Sequence, residues 1–210
     1  MKDKNYLLIL GAILFLVVAI ASFLEILFIV DYPSIDSLDT SLHNKLVFDD
    51  AYRGSNPDSN ITFVYFISFS CPFSLEHHHI VKNLMVTHPD VNFLVKHLVD
   101  FQDDKDIFSA MAFECTNEQG LGYELASFFF SAQFTVDNAM GYIEMIGTDM
   151  NRFNQCMGNQ SIQSSIQIDS IHASNIGVRG TPTTFVNGIK LEGVNTFEIY
   201  DELLKREKRE

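Results

Sequence analysis

The longest uninterrupted apolar stretch spans residues 7–30, broken mainly by Ser22 and Glu25. At a helical rise of about 1.5 Å per residue, it is long enough to cross the hydrocarbon layer. Lys2 and Lys4 precede it, and positive charge on that side favours a cytoplasmic N-terminus with the remaining chain across the membrane. Ala19-Ile20-Ala21 before Ser22 has the small-x-small look of a signal-peptidase site. Cleavage there would leave residues 23–30 as an exposed greasy terminus. A retained single-pass signal anchor in the cell membrane is therefore expected, and either fate places the rest of the chain outside the cytoplasm.

Beyond the anchor the pattern changes repeatedly. Residues 31–44 are polar and contain Pro33, as a short linker would. Leu46-Val47-Phe48 suits a short strand, and 53–60 is dense in turn formers. The run 61–69 is apolar on both faces apart from Thr62 and Ser68, which predicts a central strand covered on both sides. A helix is predicted over 76–87, ended by His88-Pro89-Asp90, and a second core strand over 91–98. That β-α-β order favours parallel strands. From 103 to about 174 the period becomes helical: Ile107 and Met111, then Phe108 and Ala112, fall four apart, with further helical stretches over 121–130, 136–146 and 161–173. Sheet character returns at Thr183-Thr184-Phe185-Val186, Asn187-Gly188 is a strong hairpin signal, and Ile189-Lys190-Leu191 pairs back. An amphipathic helix over 195–206 follows. The predicted organisation is an anchor (1–30), a linker (31–44), an α/β unit in two parts (45–102 and 175–210) and a helical block between them (103–174).

Composition narrows the function classes. With 210 residues, 19 Phe and seven Tyr, the chain can bury one compact core beside its anchor. A net charge of -13 with scattered Lys and Arg would repel a phosphate backbone, which excludes nucleic acid as a partner. The mixed-sign run Lys205-Arg206-Glu207-Lys208-Arg209-Glu210 suits the solvated end of a terminal helix. Three cysteines, Cys71, Cys115 and Cys156, leave one without an internal partner in a compartment where disulfides persist.

Cys71 lies where the central strand should end and a helix begin. A sulfur there faces unpaired backbone N–H groups at the positive end of the helix dipole, which favours thiolate. Pro72 suits the first helical turn, where its missing N–H costs nothing. Position alone leaves two readings open, a reactive thiol and a structural cysteine buried in the core.

Two motifs carry a resemblance. Phe66-Ile67-Ser68-Phe69-Ser70-Cys71-Pro72-Phe73-Ser74 resembles the aromatic strand and Cys-Pro-aromatic-Cys active site of the DsbA-like branch of the thioredoxin superfamily. Gly177-Val178-Arg179-Gly180-Thr181-Pro182-Thr183-Thr184-Phe185-Val186-Asn187-Gly188 is similar to that family's cis-proline loop and the strand after it. The resemblance implies a thioredoxin fold, a central mixed β-sheet with an inserted α-helical domain. It implies that Cys71 is the nucleophile, that Pro182 is cis and packs beside it, and that Pro72, Phe73, Thr181 and Pro182 meet an extended substrate peptide. In several members the helical block holds a structural disulfide, which implies a Cys115–Cys156 bridge; the alternative is two buried free thiols. Two departures stand out. Ser74 occupies the position of the second active-site cysteine, and serine cannot resolve a mixed disulfide. Where many members carry a buried acid upstream of the nucleophile, this strand has Tyr65.

A lone activated thiol still attacks disulfides and holds a partner until another thiol releases it. The expected activity is thiol-disulfide exchange on exported or unfolded proteins, of isomerase, mixed-disulfide or deglutathionylation type, with no cofactor beyond glutathione as a co-substrate. Two other readings remain open. A kappa-type glutathione transferase or isomerase would use a similar loop, which Ser74 fits and Cys71 does not, and a non-catalytic client-binding module would use the proline groove alone. His77-His78-His79 cannot converge on one metal ion, because successive helical residues point about 100° apart; a solvated or substrate-facing turn is expected, and no metal site. Asp49-Asp50 and Asp103-Asp104 are expected to be loop surface charge. Asn60-Ile61-Thr62 and Asn159-Gln160-Ser161 match the short glycosylation pattern and carry no assignment.

Overall fold

The computed structural model describes residues 54–131 and 134–209, together with Leu16. Apart from Leu16, the apolar stretch 7–30 lies outside them, as do the linker 31–44, the expected strand at Leu46-Val47-Phe48 and the pair Asp49-Asp50. Among the described residues, no helix is long and apolar enough to cross a membrane.

Strand β1 (Thr62–Ile67) is the centre of a four-stranded mixed sheet of order β2-β1-β3-β4. It pairs in parallel with β2 (Asn92–His97) and antiparallel with β3 (Thr183–Val186), which pairs antiparallel with β4 (Ile189–Glu192). Every residue of β1 and β2 is buried, which is why neither shows the alternation of a half-wet strand. The two faces have separate cores. Phe63, Tyr65, Ile67, Phe93 and Val95 pack beneath α1 (Pro72–Thr87), α7 (Phe197–Glu207) and the inserted helices. Val64, Phe66, Leu94 and Phe185 meet Ala173 and Val178 on the opposite side. The β3–β4 turn places Asn187 at φ 46° and Gly188 at φ 91°, the left-handed pair that a two-residue hairpin requires. The Asn187 side chain also accepts from Thr62 N–H at 3.0 Å, tying the turn to β1.

Between β2 and β3 the chain forms α2 (Asp104–Asn117), α3 (Gly122–Phe129), α4 (Val136–Met145), α5 (Met150–Met157) and α6 (Gln160–Asn175). Helix α5 is not predicted by the hydrophobic pattern. Its eight residues bury only Phe153 and Cys156, and its start is specified instead by Asp149, whose carboxylate accepts from Asn151 and Arg152 N–H. Helix α2 likewise begins inside what the sequence suggests is a loop, because Asp103 caps it by accepting from Lys105 N–H at 2.9 Å. Cys115 on α2 and Cys156 on α5 are joined in a disulfide across this block.

The histidine run corrects an expectation. Only His79 is exposed, while His77 and His78 are buried. Helix α1 is pressed against the sheet over much of its girth, so His77 stacks on Phe63 at 6.3 Å and meets Tyr65 and Tyr200 edge-on, while His78 reaches Ser127 at 3.0 Å. Burial first, and the neighbouring His78 next, push His77 down to about 3 from its ordinary 6.5; burial, then Lys82 and His79, push His78 down to about 4. Each folded-state value lies below the unfolded one, so between pH 6.5 and 3 the unfolded chain binds protons the folded chain refuses. Stability is therefore lost as pH falls through that window. His77 alone is expected to cost on the order of 3 kcal/mol between about pH 6.5 and 4. Urea unfolding of the wild type and the His77→Phe variant at about pH 7 and pH 4 checks this; an equal acid loss in both would refute it.

Candidate active site

Cys71 closes the link between β1 and α1. The chain leaves β1 at Ile67, turns through Phe69 and Ser70, and enters α1 with Cys71 as its N-cap (φ -92°, ψ 119°) and Pro72 as the first helical residue. Cys71 N–H donates to Ser68 C=O at 3.2 Å, and Ser74 N–H donates to Cys71 C=O at 3.1 Å, which sets the sulfur over the opening turn. Among the described residues Cys71 is the one free cysteine, and it is half-buried.

The loop before β3 supplies the opposite wall. The Thr181–Pro182 peptide bond is cis, and the Cys71 thiol donates to the Thr181 carbonyl at 3.3 Å across 110 positions of sequence. Gly193 N–H donates to Pro182 C=O at 2.9 Å and Thr183 Oγ1 donates to Gly180 C=O at 2.7 Å, so the loop is braced on both sides of the proline.

Burial pushes the Cys71 thiol up, but it is outweighed by hydrogen bonds to the thiolate from the Thr181 side chain, the Ser74 N–H and hydroxyl, and the Phe73 N–H, so the thiol lies below its ordinary value. The Thr181 carbonyl works the other way, since it can accept only from the protonated sulfur. Ionisation exchanges that contact for the donors at the helix start. Tyr65, six positions before the sulfur, is sealed in the core. Burial, then Tyr123 and Glu114, hold its phenol well above the ordinary value, so it stays protonated and offers no base to the sulfur.

The expected contact residues converge here. Phe73 is 62% exposed, Pro72 is exposed beside it, and Thr181 is half-buried, whereas Pro182 is buried and presents only an edge. Phe73, Ile80, Thr181, Pro182, Val194 and Phe197 line a groove of about 660 Å³ with Glu76 at its rim. Ser74 is wholly buried, its hydroxyl accepting from Ser68 N–H at 3.4 Å. Cys115 and Cys156 belong to the core instead. Among the described residues no group of three or more His, Cys, Asp or Glu is placed to hold a metal ion. Sequence reasoning missed Asp106, a buried acid from α2 that binds the turn before Cys71. Its signal was the spacing Asp103-x-x-Asp106, which puts the second acid at the third helical residue when the first is the cap.

A family model described as thioredoxin matches residues 49–206. Among curated proteins, the Na(+)/H(+) antiporter NhaA 3 of Salinispora tropica is 28% identical over 153 residues, covering 71% of this chain and 23% of that protein. The Na(+)/H(+) antiporter NhaA of Herminiimonas arsenicoxydans is 26% identical over 147 residues, covering 69% and 23%. The chain thus spans less than a quarter of the length of these relatives. Solved structures with the same fold include the thiol-disulfide exchange protein alpha-DsbA2 from Wolbachia pipientis, with a TM-score of 0.71 at 16% identity over 81% of this chain and 94% of that one. A thioredoxin-like oxidoreductase from Silicibacter pomeroyi has a TM-score of 0.67 at 17% identity over 80% and 98%. The catalytic domain of Proteus mirabilis ScsC has a TM-score of 0.66 at 16% identity over 81% and 96%.

Proposed function

From the premise that this chain belongs to the thioredoxin family, we propose that it is a membrane-anchored, extracytoplasmic thiol-disulfide exchange protein that works through the single nucleophilic sulfur of Cys71. The observation that carries this reading is the meeting of that sulfur, at the N-terminus of α1, with the cis-proline loop at Thr181. A structural neighbour named for thiol-disulfide exchange supports the same reaction class.

The Cys71 thiol gives its proton to solvent and the thiolate attacks one sulfur of a client disulfide. A Cys71–client S–S bond forms, the client S–S bond breaks, and the electron pair leaves on the second client sulfur, which takes up a proton. An extended client segment lies in the groove beside Phe73 and Pro182. Serine at position 74 cannot attack the mixed disulfide, so release falls to a thiol of the client itself or to a small thiol such as glutathione. In the first route the client thiol re-forms a disulfide within the client, which is isomerised; in the second, glutathione attacks the Cys71 sulfur, the reduced client leaves, and a second glutathione frees Cys71 as glutathione disulfide forms. The same chemistry run on a glutathionylated client transfers glutathione to Cys71, and a further thiol removes it. No cofactor is required.

Trapping tests the proposal. The soluble domain is mixed with a scrambled disulfide protein or with glutathione disulfide, quenched in acid and mapped by mass spectrometry. One adduct on Cys71 is expected, and its loss in the Cys71→Ala variant. Adducts undiminished by that substitution, or none in the wild type, would remove the proposal.

A further inference from the structure

Asp106 is 3% exposed and comes from α2, the first helix of the inserted block, 35 positions after Cys71. Its Oδ1 accepts from the Ser68 hydroxyl at 3.0 Å and the Ser70 hydroxyl at 3.3 Å, and its Oδ2 accepts from Asp100 N–H at 2.9 Å. A carboxylate buried at this position is thus directed at the three-residue turn that carries the sulfur. Ser68 is the hub of that turn. Its hydroxyl accepts from Ser70 N–H at 3.1 Å, its carbonyl accepts from Cys71 N–H at 3.2 Å, and its N–H donates to Ser74 Oγ at 3.4 Å. With its hydroxyl donating to Asp106, Ser68 keeps its oxygen lone pairs for Ser70 N–H, which holds the turn in this arrangement. Ser74 Oγ already accepts from Ser68 N–H and is shut away from water, and its hydroxyl is among the groups that favour the Cys71 thiolate, so the one proton it has to give can go to that sulfur.

We propose that Asp106 is a positioning residue for Cys71: it locks the 68–70 turn so that the Ser74 hydroxyl proton faces the Cys71 sulfur. The inserted helical block then takes part in the chemistry of the α/β unit, and the serine in place of a second cysteine acts as a fixed donor to the thiolate. The inference deepens the thiol-exchange reading and rests on it for its purpose, though its measurement does not.

The charge of Asp106 and its hydrogen bonds predict opposite results. A carboxylate acting through space disfavours a thiolate, so its removal alone would make Cys71 more acidic; loss of the lock loosens the Ser74 donor and makes Cys71 less acidic. Iodoacetamide alkylation of Cys71 against pH separates them and needs neither client nor redox partner, so a failure of the exchange reading leaves this readout intact. In Asp106→Asn the alkylation midpoint is expected to rise by roughly half to one pH unit, with a fall of about three- to tenfold in the rate near neutral pH. Ser68→Ala changes no charge and is expected to shift the midpoint the same way, while Ser68→Thr, which keeps the hydroxyl, restores it. The Ser68 pair carries the test if Asp106→Asn does not fold. A midpoint that falls or stays put in Asp106→Asn, or a Ser68→Ala midpoint equal to the wild type, overturns the proposal.

Discussion

The Ser74→Cys variant is expected to shorten the life of Cys71 mixed disulfides by about a thousandfold or more when the competing thiol is millimolar glutathione. Position 74 is the third residue of α1 and Cys71 is its N-cap, so the two side chains sit one helical turn apart with Ser74 already in the hydrogen-bonded shell of the sulfur. A thiol held there meets the mixed disulfide at an effective concentration of at least about 1 M, against about 1 mM from solution. Attack by that thiol transfers the bond to Cys71 and the sulfur introduced at position 74 and frees the reduced client, so the accumulating species changes from a client adduct to an internal disulfide. Quenching at timed intervals and counting adducts by mass reads the effect. An adduct lifetime equal to that of the wild type would mean that position 74 cannot reach the reacting sulfur, and the structural account of the monothiol would fail with it.

Removing the bridge in the helical block is expected to have the largest effect on stability. Cys115 and Cys156 close a loop with a sequence separation of 41. The chain-entropy relation for a loop of that length gives about 4 kcal/mol, which the Cys115→Ala/Cys156→Ala variant would lose. For a domain of this size that corresponds to a fall in Tm of roughly 8–16 °C. The bridge links α2 to α5, and α5 buries little else besides Phe153, so the loss should be concentrated in the helical block. Thermal unfolding of the variant, beside the wild type with and without reductant, checks it. A Tm indistinguishable from that of the wild type would show that the block is held by its aromatic packing alone.

The sheet and the two walls of the site were legible in the sequence. Residues 61–69 are apolar on both faces apart from Thr62 and Ser68, as a doubly covered strand is, and with the strand read at 91–98 they flank a helix-length segment that opens on Cys-Pro. Asn187-Gly188 marks a hairpin because few other residue pairs take two consecutive left-handed conformations. The cis bond at Thr181–Pro182 came from the likeness of a motif and not from periodicity, since a proline in a loop reads equally well as an ordinary turn. Short elements were not legible: α5 has two buried residues in eight, too few to set a period against its polar majority.

What the sequence determined by itself, then, is what near neighbours along the chain carry: the order of the strands and the longer helices, the sulfur at a helix start, the serine three residues on, and the tight turn between β3 and β4. Tertiary structure alone decided which side of a helix is covered. His77, His78 and His79 differ only by successive rotations about one axis, and the first two are dry because the sheet, α3 and α7 lie on those sides. Asp103, Asp104 and Asp106 are near-equivalent acids in sequence, yet one caps α2, one faces water and one is buried beneath the turn that carries Cys71. Local propensity sets a residue's place along its element, but burial and charge pairing depend on segments brought alongside from many positions away, and no local pattern encodes which of several similar side chains will meet them.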